Sequence, residues 1–147
     1  AAIRAHTDLW LDAYLMVADP VAFLEPFAKA GANSVTIHVE AVSDLGRCRE
    51  EADRLGVRLG IAIRPDTAVG NTLERSGDLF DLILVMTVMP GFGGQAYLRG
   101  SRARIEEAAG AGAEWLVAGN AIFRNALPEQ AFRSLTSETR EARSRRK

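Results

Sequence analysis

Two side chains in this sequence have the types and spacing for proton transfer. His38 and Glu40 lie two positions apart in SVTIHVEA, residues 34–41, so a strand there carries both on one face. An imidazole beside a carboxylate can accept a proton and pass it on. In the preceding run DLWLDAYLMVA, residues 8–18, Asp12, Tyr14 and Met16 share one parity. That parity adds a phenol and a second carboxylate to the candidate set. Arg64 and Asp66 follow the run RLGIAIR, where a guanidinium could hold an oxyanion or a phosphate. The alternative is structural: Asp12, His38 and Glu40 would line the sheet, hydrogen-bonded to one another and to Arg64.

A second kind of chemistry resides in LILVMTVMPGFGGQ, residues 82–95. Its apolar, β-branched first half has the pattern of a buried parallel strand. It breaks at Met89-Pro90 into a loop with Gly91, Gly93 and Gly94. Glycine amides in such a loop can converge on an anion, and the absence of Cβ atoms lets a ligand approach the main chain. The loop reads equally as a tight strand-to-helix turn without a ligand.

The elements that must position these residues alternate. After the strand at 8–18, Asp19-Pro20 predicts a helix start and Gly31 its end, with Pro26 as an internal flaw. The strand at 34–41 is followed by a helix capped by Ser43 or Asp44 and ended by Gly56. A third strand covers 58–64, and a short weak helix is centred on 71–75. The fourth strand is 82–89, a helix covers 99–112, and EWLVAGNAIF at 114–123 is a fifth strand broken at Gly119. The segment from 128 on reads as an amphipathic helix with a basic, solvated end. This alternation predicts a parallel sheet with helices outside and a ligand at the carboxyl ends of the strands.

The totals set limits. A chain of 147 residues is read as one domain, 1–147, and a net charge of −1 gives no reason to expect nucleic acid or an anionic membrane as partner. No run is long and apolar enough to span a bilayer, and AAIRAHTD has no apolar signal core. The single cysteine, Cys48, fits a reducing cytoplasm and reads as a spectator thiol.

Taken in order, LDAYLMVADP, FAKAGANSVTIHVEA, IAIRPDT, VMTVMPGFGGQAY and VAGNAIF resemble the signature segments of the ribulose-phosphate 3-epimerases. The resemblance covers roughly residues 8–135. It implies an α/β fold derived from a TIM barrel: here an incomplete (β/α) barrel of about five parallel strands. It implies a sugar-phosphate ligand of the D-ribulose 5-phosphate type. Its phosphate would be held by Gly91, Gly93, Gly94 and Gln95, with Gly119 and Asn120 as the second half of the cradle. Met16 and Met86 match methionines placed around the sugar.

The same resemblance implies losses. The blocks carrying the family's HxDxMDG and VDGG motifs have no counterpart, and with them go the acid, the base and metal ligands. The family's further metal-ligating histidine corresponds to Tyr14, and a neutral phenol is a poor metal ligand near neutral pH. No metal or cofactor is therefore expected. His38, Glu40 and Tyr14 remain as candidate catalytic groups. Three functions stay open: a family epimerase of pentose phosphate metabolism, a non-catalytic phosphosugar-binding or interaction protein, and a repurposed isomerase or lyase. Five strands cannot close a barrel, so a homodimer or higher oligomer is expected to cover the open face.

Overall fold

Strand and helix alternate along the chain as the glycine and proline punctuation predicts. The computed structural model describes residues 1–76, 79–91, 95, 98, 100–110, 122 and 126–144. The strands are β1 (Asp12–Leu15), β2 (Ser34–His38), β3 (Arg58–Ile63) and β4 (Leu82–Val85). The helices are α1 (Val21–Lys29), α2 (Leu45–Leu55), α3 (Val69–Ser76), α4 (Ser101–Gly110) and α5 (Pro128–Ser144). The four strands form one parallel sheet in sequence order, β1-β2-β3-β4, a partial α/β barrel-type arrangement.

One face of the sheet makes the core. Leu15, Val35, Ile37 and Leu59 pack with Leu24, Cys48 and Ala52 of α1 and α2. Ile61 and Ile63 pack with Val69 of α3 and Ala108 of α4. The opposite parity carries Asp12 and Tyr14 on β1, Ser34, Thr36 and His38 on β2, and Gly60 and Ala62 on β3. The split follows from the pleat, which sends alternate residues to opposite faces.

The local signals behave as their chemistry dictates. The Asp44 carboxylate accepts a hydrogen bond from the Arg47 amide and so caps α2. Gly56 ends α2 at φ +68°, and Gly31 follows α1 at φ +94°. Cys48 is fully buried, and burial pushes its thiol above the ordinary range, in keeping with a spectator role.

Several expectations are corrected. β1, β2 and β4 are shorter than predicted, and Glu40 lies outside β2, in a one-turn 3-10 segment at Val39–Ala41. Pro20, not Asp19, is the N-cap residue of α1, which then runs on through Pro26. The predicted fifth strand falls almost wholly outside the described residues; Ile122 within it is helical. A feature that the sequence did not suggest is a 3-10 turn at Arg4–His6. The Arg4 guanidinium donates to the Gly31 carbonyl at 3.0 Å and to Asn33 Oδ1 at 2.5 Å, fastening the first residues to the α1–β2 turn.

Candidate functional site

The carboxyl ends of β1, β2 and β4 bring three polar partners and a methionine together. The Tyr14 hydroxyl lies 2.7 Å from His38 Nε2. On the other side of the ring, His38 Nδ1 lies 3.3 Å from Glu40 Oε2. The same hydroxyl is 3.2 Å from Met86 Sδ, just past the end of β4. His38 and Met86 are buried, at 6% and 8% exposure. The 3-10 turn after β2 swings Glu40 back beneath the imidazole, so the pair forms although Glu40 has left the strand.

Electrostatics orders this chain. Burial alone would raise the Glu40 carboxyl, but hydrogen bonds from the Thr67 side chain, the Arg64 amide and His38 outweigh it and hold the pKa below the ordinary value. Glu40 is therefore a carboxylate that accepts from His38 Nδ1–H. In the neutral imidazole Nε2 is then an acceptor, and the Tyr14 O–H donates to it. When the ring is protonated, Nε2–H donates to the Tyr14 oxygen and the hydroxyl proton turns to Met86 Sδ. The phenol itself is pushed up to about 12 by burial and by the charge of Glu40, so it stays protonated near neutrality. The arrangement forms one hydrogen-bonded path between the Tyr14 oxygen and Glu40 through the ring, along which a proton can pass.

Of the predicted glycine loop, Gly91 and Gln95 are described. Gly91 adopts φ +119°, which L side chains rarely enter, although a Cβ there would meet no atom. Gln95 Nε2 donates to the Met89 carbonyl at 2.7 Å. That gives Gln95 a fastening role that the sequence did not suggest. Gly93, Gly94, Gly119 and Asn120 lie outside the described residues.

The structure places the remaining candidates as follows. Met16 is 52% exposed, one residue past the end of β1, while Met86 contacts Tyr14. Asp12 does not join His38 and Glu40. Its carboxylate accepts from Ser34 Oγ at 2.5 Å and from Thr36 Oγ1 at 3.0 Å, one to two pleats toward the amino end. The Arg64 guanidinium turns to Asp66, at 2.7 and 3.0 Å, and it is the Arg64 amide that serves Glu40.

Arg104 and Thr67 are site residues that motif reading missed. Arg104 Nη1 donates to the Met86 carbonyl at 2.9 Å, and Nη2 to the carbonyls of Arg64 and Thr67 at 2.5 and 3.0 Å. One signal was available. Arg104 stands in the first turn of α4, where the helix dipole disfavours a cation, so a tertiary partner was to be expected.

The resemblance implies a divalent metal for the family, which would need several open donors at one point. Among the described residues no group of three or more His, Cys, Asp or Glu could hold a metal ion. Both His38 ring nitrogens are engaged, and Tyr14 presents a neutral hydroxyl. The described donors do not fit a divalent cation.

Comparison with known proteins agrees with the motifs. The profile of the ribulose-phosphate 3 epimerase family matches residues 1–108. Ribulose-phosphate 3-epimerase of Bacillus subtilis is 41% identical over 72% of this chain and 48% of its own. The cytoplasmic isoform from Oryza sativa is 35% identical over 90% of this chain and 70% of its own. Ribulose-phosphate 3-epimerase 2 of Cupriavidus necator is 33% identical over 96% and 71%. The chain thus spans about half the length of the Bacillus relative. The last two alignments run over 159 and 172 residues, more than the 147 of this chain, so both relatives carry internal residues without a counterpart here. With the profile match, the ordered motifs and the parallel sheet in agreement, the chain belongs to the ribulose-phosphate 3-epimerase family.

Proposed function

We propose that this chain binds a sugar phosphate of the pentose 5-phosphate class at the carboxyl ends of its strands. The phosphate rests on the loop of Gly91, Gly93, Gly94 and Gln95, with Gly119 and Asn120 opposite. The Tyr14–His38–Glu40 chain faces the sugar and handles one proton. The observation that carries this reading is the hydrogen-bonded chain, which stands at the carboxyl end of the sheet, where β4 ends at Val85.

Inversion at C3 needs a base on one face of the carbon and an acid on the other. The described groups form one continuous path, which supplies one face. On the described groups, family-type epimerisation is absent or slow, and they offer no site for a metal. A second reading is favoured by the two acceptors open to the Tyr14 hydroxyl: a one-face proton exchange, as in an isomerase or lyase. The chain acts as a homodimer or higher oligomer in an aqueous, reducing compartment such as the cytoplasm. It takes no nucleic acid or membrane partner. Its charge of −1 is in keeping with this, and no described helix is long and apolar enough to cross a membrane.

The test uses D-ribulose 5-phosphate with and without Zn²⁺, Mn²⁺ or Fe²⁺, followed by NMR in deuterated water. The expected result is binding and proton exchange without appreciable C3 inversion. Inorganic phosphate should raise the melting temperature, since saturation at 100 times Kd stabilises by about 2.7 kcal/mol. Gly93→Asp should abolish that rise. Metal-dependent C3 inversion that vanishes in Gly93→Asp would overturn the non-epimerising reading. No response to phosphate or sugar phosphate would overturn the site itself.

A further inference from the structure

Tyr14, His38 and Glu40 come from two neighbouring strand ends, yet their outer partners come from two others. Glu40 is held by the Arg64 amide and the Thr67 side chain, past the end of β3. Tyr14 is held by Met86, past the end of β4. The ladder sets the strand spacing here, for Ile63 pairs with Val85 and the Met86 amide donates to the Ile63 carbonyl at 3.0 Å, but it does not reach the Arg64–Thr67 turn. Arg104 ties that turn in: one terminal nitrogen takes the Met86 carbonyl and the other takes the carbonyls of Arg64 and Thr67. These contacts close into a ring, running from Arg104 through Arg64, Glu40, His38, Tyr14 and Met86 back to Arg104, with the one Tyr14 proton shared between the His38 and Met86 acceptors.

Two penalties make this placement informative. A half-buried guanidinium loses hydration, and burial lowers the pKa of Arg104. A cation in the first turn of α4 also opposes the helix dipole. Simple helix docking does not require it, because Ala108 already packs α4 against Ile61, Ile63 and Val69. The planar fork with donors on two nitrogens suits a task that a point charge cannot perform, namely tying the Arg64–Thr67 turn to the Met86 carbonyl in one geometry.

We propose that Arg104 is a positioning residue: it holds the Arg64–Thr67 turn, whose groups bind Glu40, against Met86 and thereby holds His38 in one tautomer between Tyr14 and Glu40. The inference deepens the reading of this chain as the proton-handling group of the site.

The test reads the imidazole directly and needs no ligand. The chain has two histidines, His6 and His38, so His6→Gln assigns the long-range ¹H–¹⁵N imidazole signals of ¹⁵N-labelled protein. The native protein should show a locked single-tautomer pattern for His38. Arg104→Met should lose that pattern toward tautomer averaging. Arg104→Lys, which keeps the charge but not the fork, should fall between the two. Arg49→Met is the matched control, since it removes an arginine that ties α2 to Asp81 and the Leu79 carbonyl away from this site. It should leave the His38 pattern native. An unchanged pattern in folded Arg104→Met, or equal loss in Arg49→Met, overturns the proposal. If Arg104→Met does not fold, an unchanged pattern in Arg104→Lys overturns it. Because the readout is taken on free protein, failure to bind sugar phosphate leaves this result standing and counts only against the proposed function.

Discussion

Tyr14 decides which proton chemistry is open at the strand ends. A group whose pKa is raised in the folded state contributes stability below its unfolded pKa and loses it as pH rises toward the folded value. For Tyr14 those values are 10.0 and about 12, so alkaline destabilisation attributable to this phenol belongs to that window. Tyr14→Phe should remove the late component of tyrosinate absorbance and flatten stability between those limits. Below them it should cost about 0.5–1.5 kcal/mol for the lost hydrogen bond. A normal titration of both tyrosines in the native protein would contradict the burial argument. Glu40 has the opposite sign. Its lowered pKa gives stability above the ordinary carboxylate value of 4.5 that is lost as pH falls through the folded one. At this scale the sequence was legible wherever the pleat alone decides: Tyr14 and His38 on one face follow from parity. Glu40 reached the same place by a 3-10 turn rather than by parity. Arg104 was hidden because its partners are carbonyls, which no residue pattern records.

At the scale of elements, the face bearing the site is kept close by a missing side chain. A Cβ built on Gly60 of β3 would lie 2.5 Å from Thr36 Oγ1 and 3.1 Å from Leu82 Cδ2. Thr36 is fully buried and its hydroxyl donates to Asp12, so it has little room to yield. Gly60→Ala should therefore destabilise by about 1–3 kcal/mol, the usual cost of overpacking. Thr36→Ala in the same chain should recover part of that loss, giving a clear non-additive cycle in denaturant melts. Additive losses would show that the two strands do not meet as described. The order of strands and helices was legible from composition because each turn carries a glycine, a proline or a cap. Strand ends were less so, since 8–18 and 82–89 remain apolar beyond the residues that the ladder pairs. Tertiary pairing, not local pattern, sets where those strands stop.

The whole molecule presents a parallel sheet with β1 at one edge of the described strands. Parallel sheets ordinarily have both faces covered, and an uncovered edge invites pairing with another chain. Here Met16 is 52% exposed beside β1, and the segment leading into it exposes Leu9 at 74% and Trp10 at 48%. Arg58 stacks on the Trp10 ring at 5.1 Å, and the Trp10 indole donates to Ser34 Oγ at 3.0 Å. These contacts hold the indole against the sheet. The apolar surface is therefore preorganised, which lowers the entropic cost of covering it. For this chain by itself, self-association along β1 is the expected outcome, with sedimentation velocity showing a dimer or larger species at micromolar concentration. Leu9→Lys together with Met16→Lys should shift the distribution to monomer while far-ultraviolet circular dichroism stays native, because both side chains point to solvent. A native chain that sediments as a monomer at that concentration would contradict this prediction. A double variant that still assembles would move the interface away from β1.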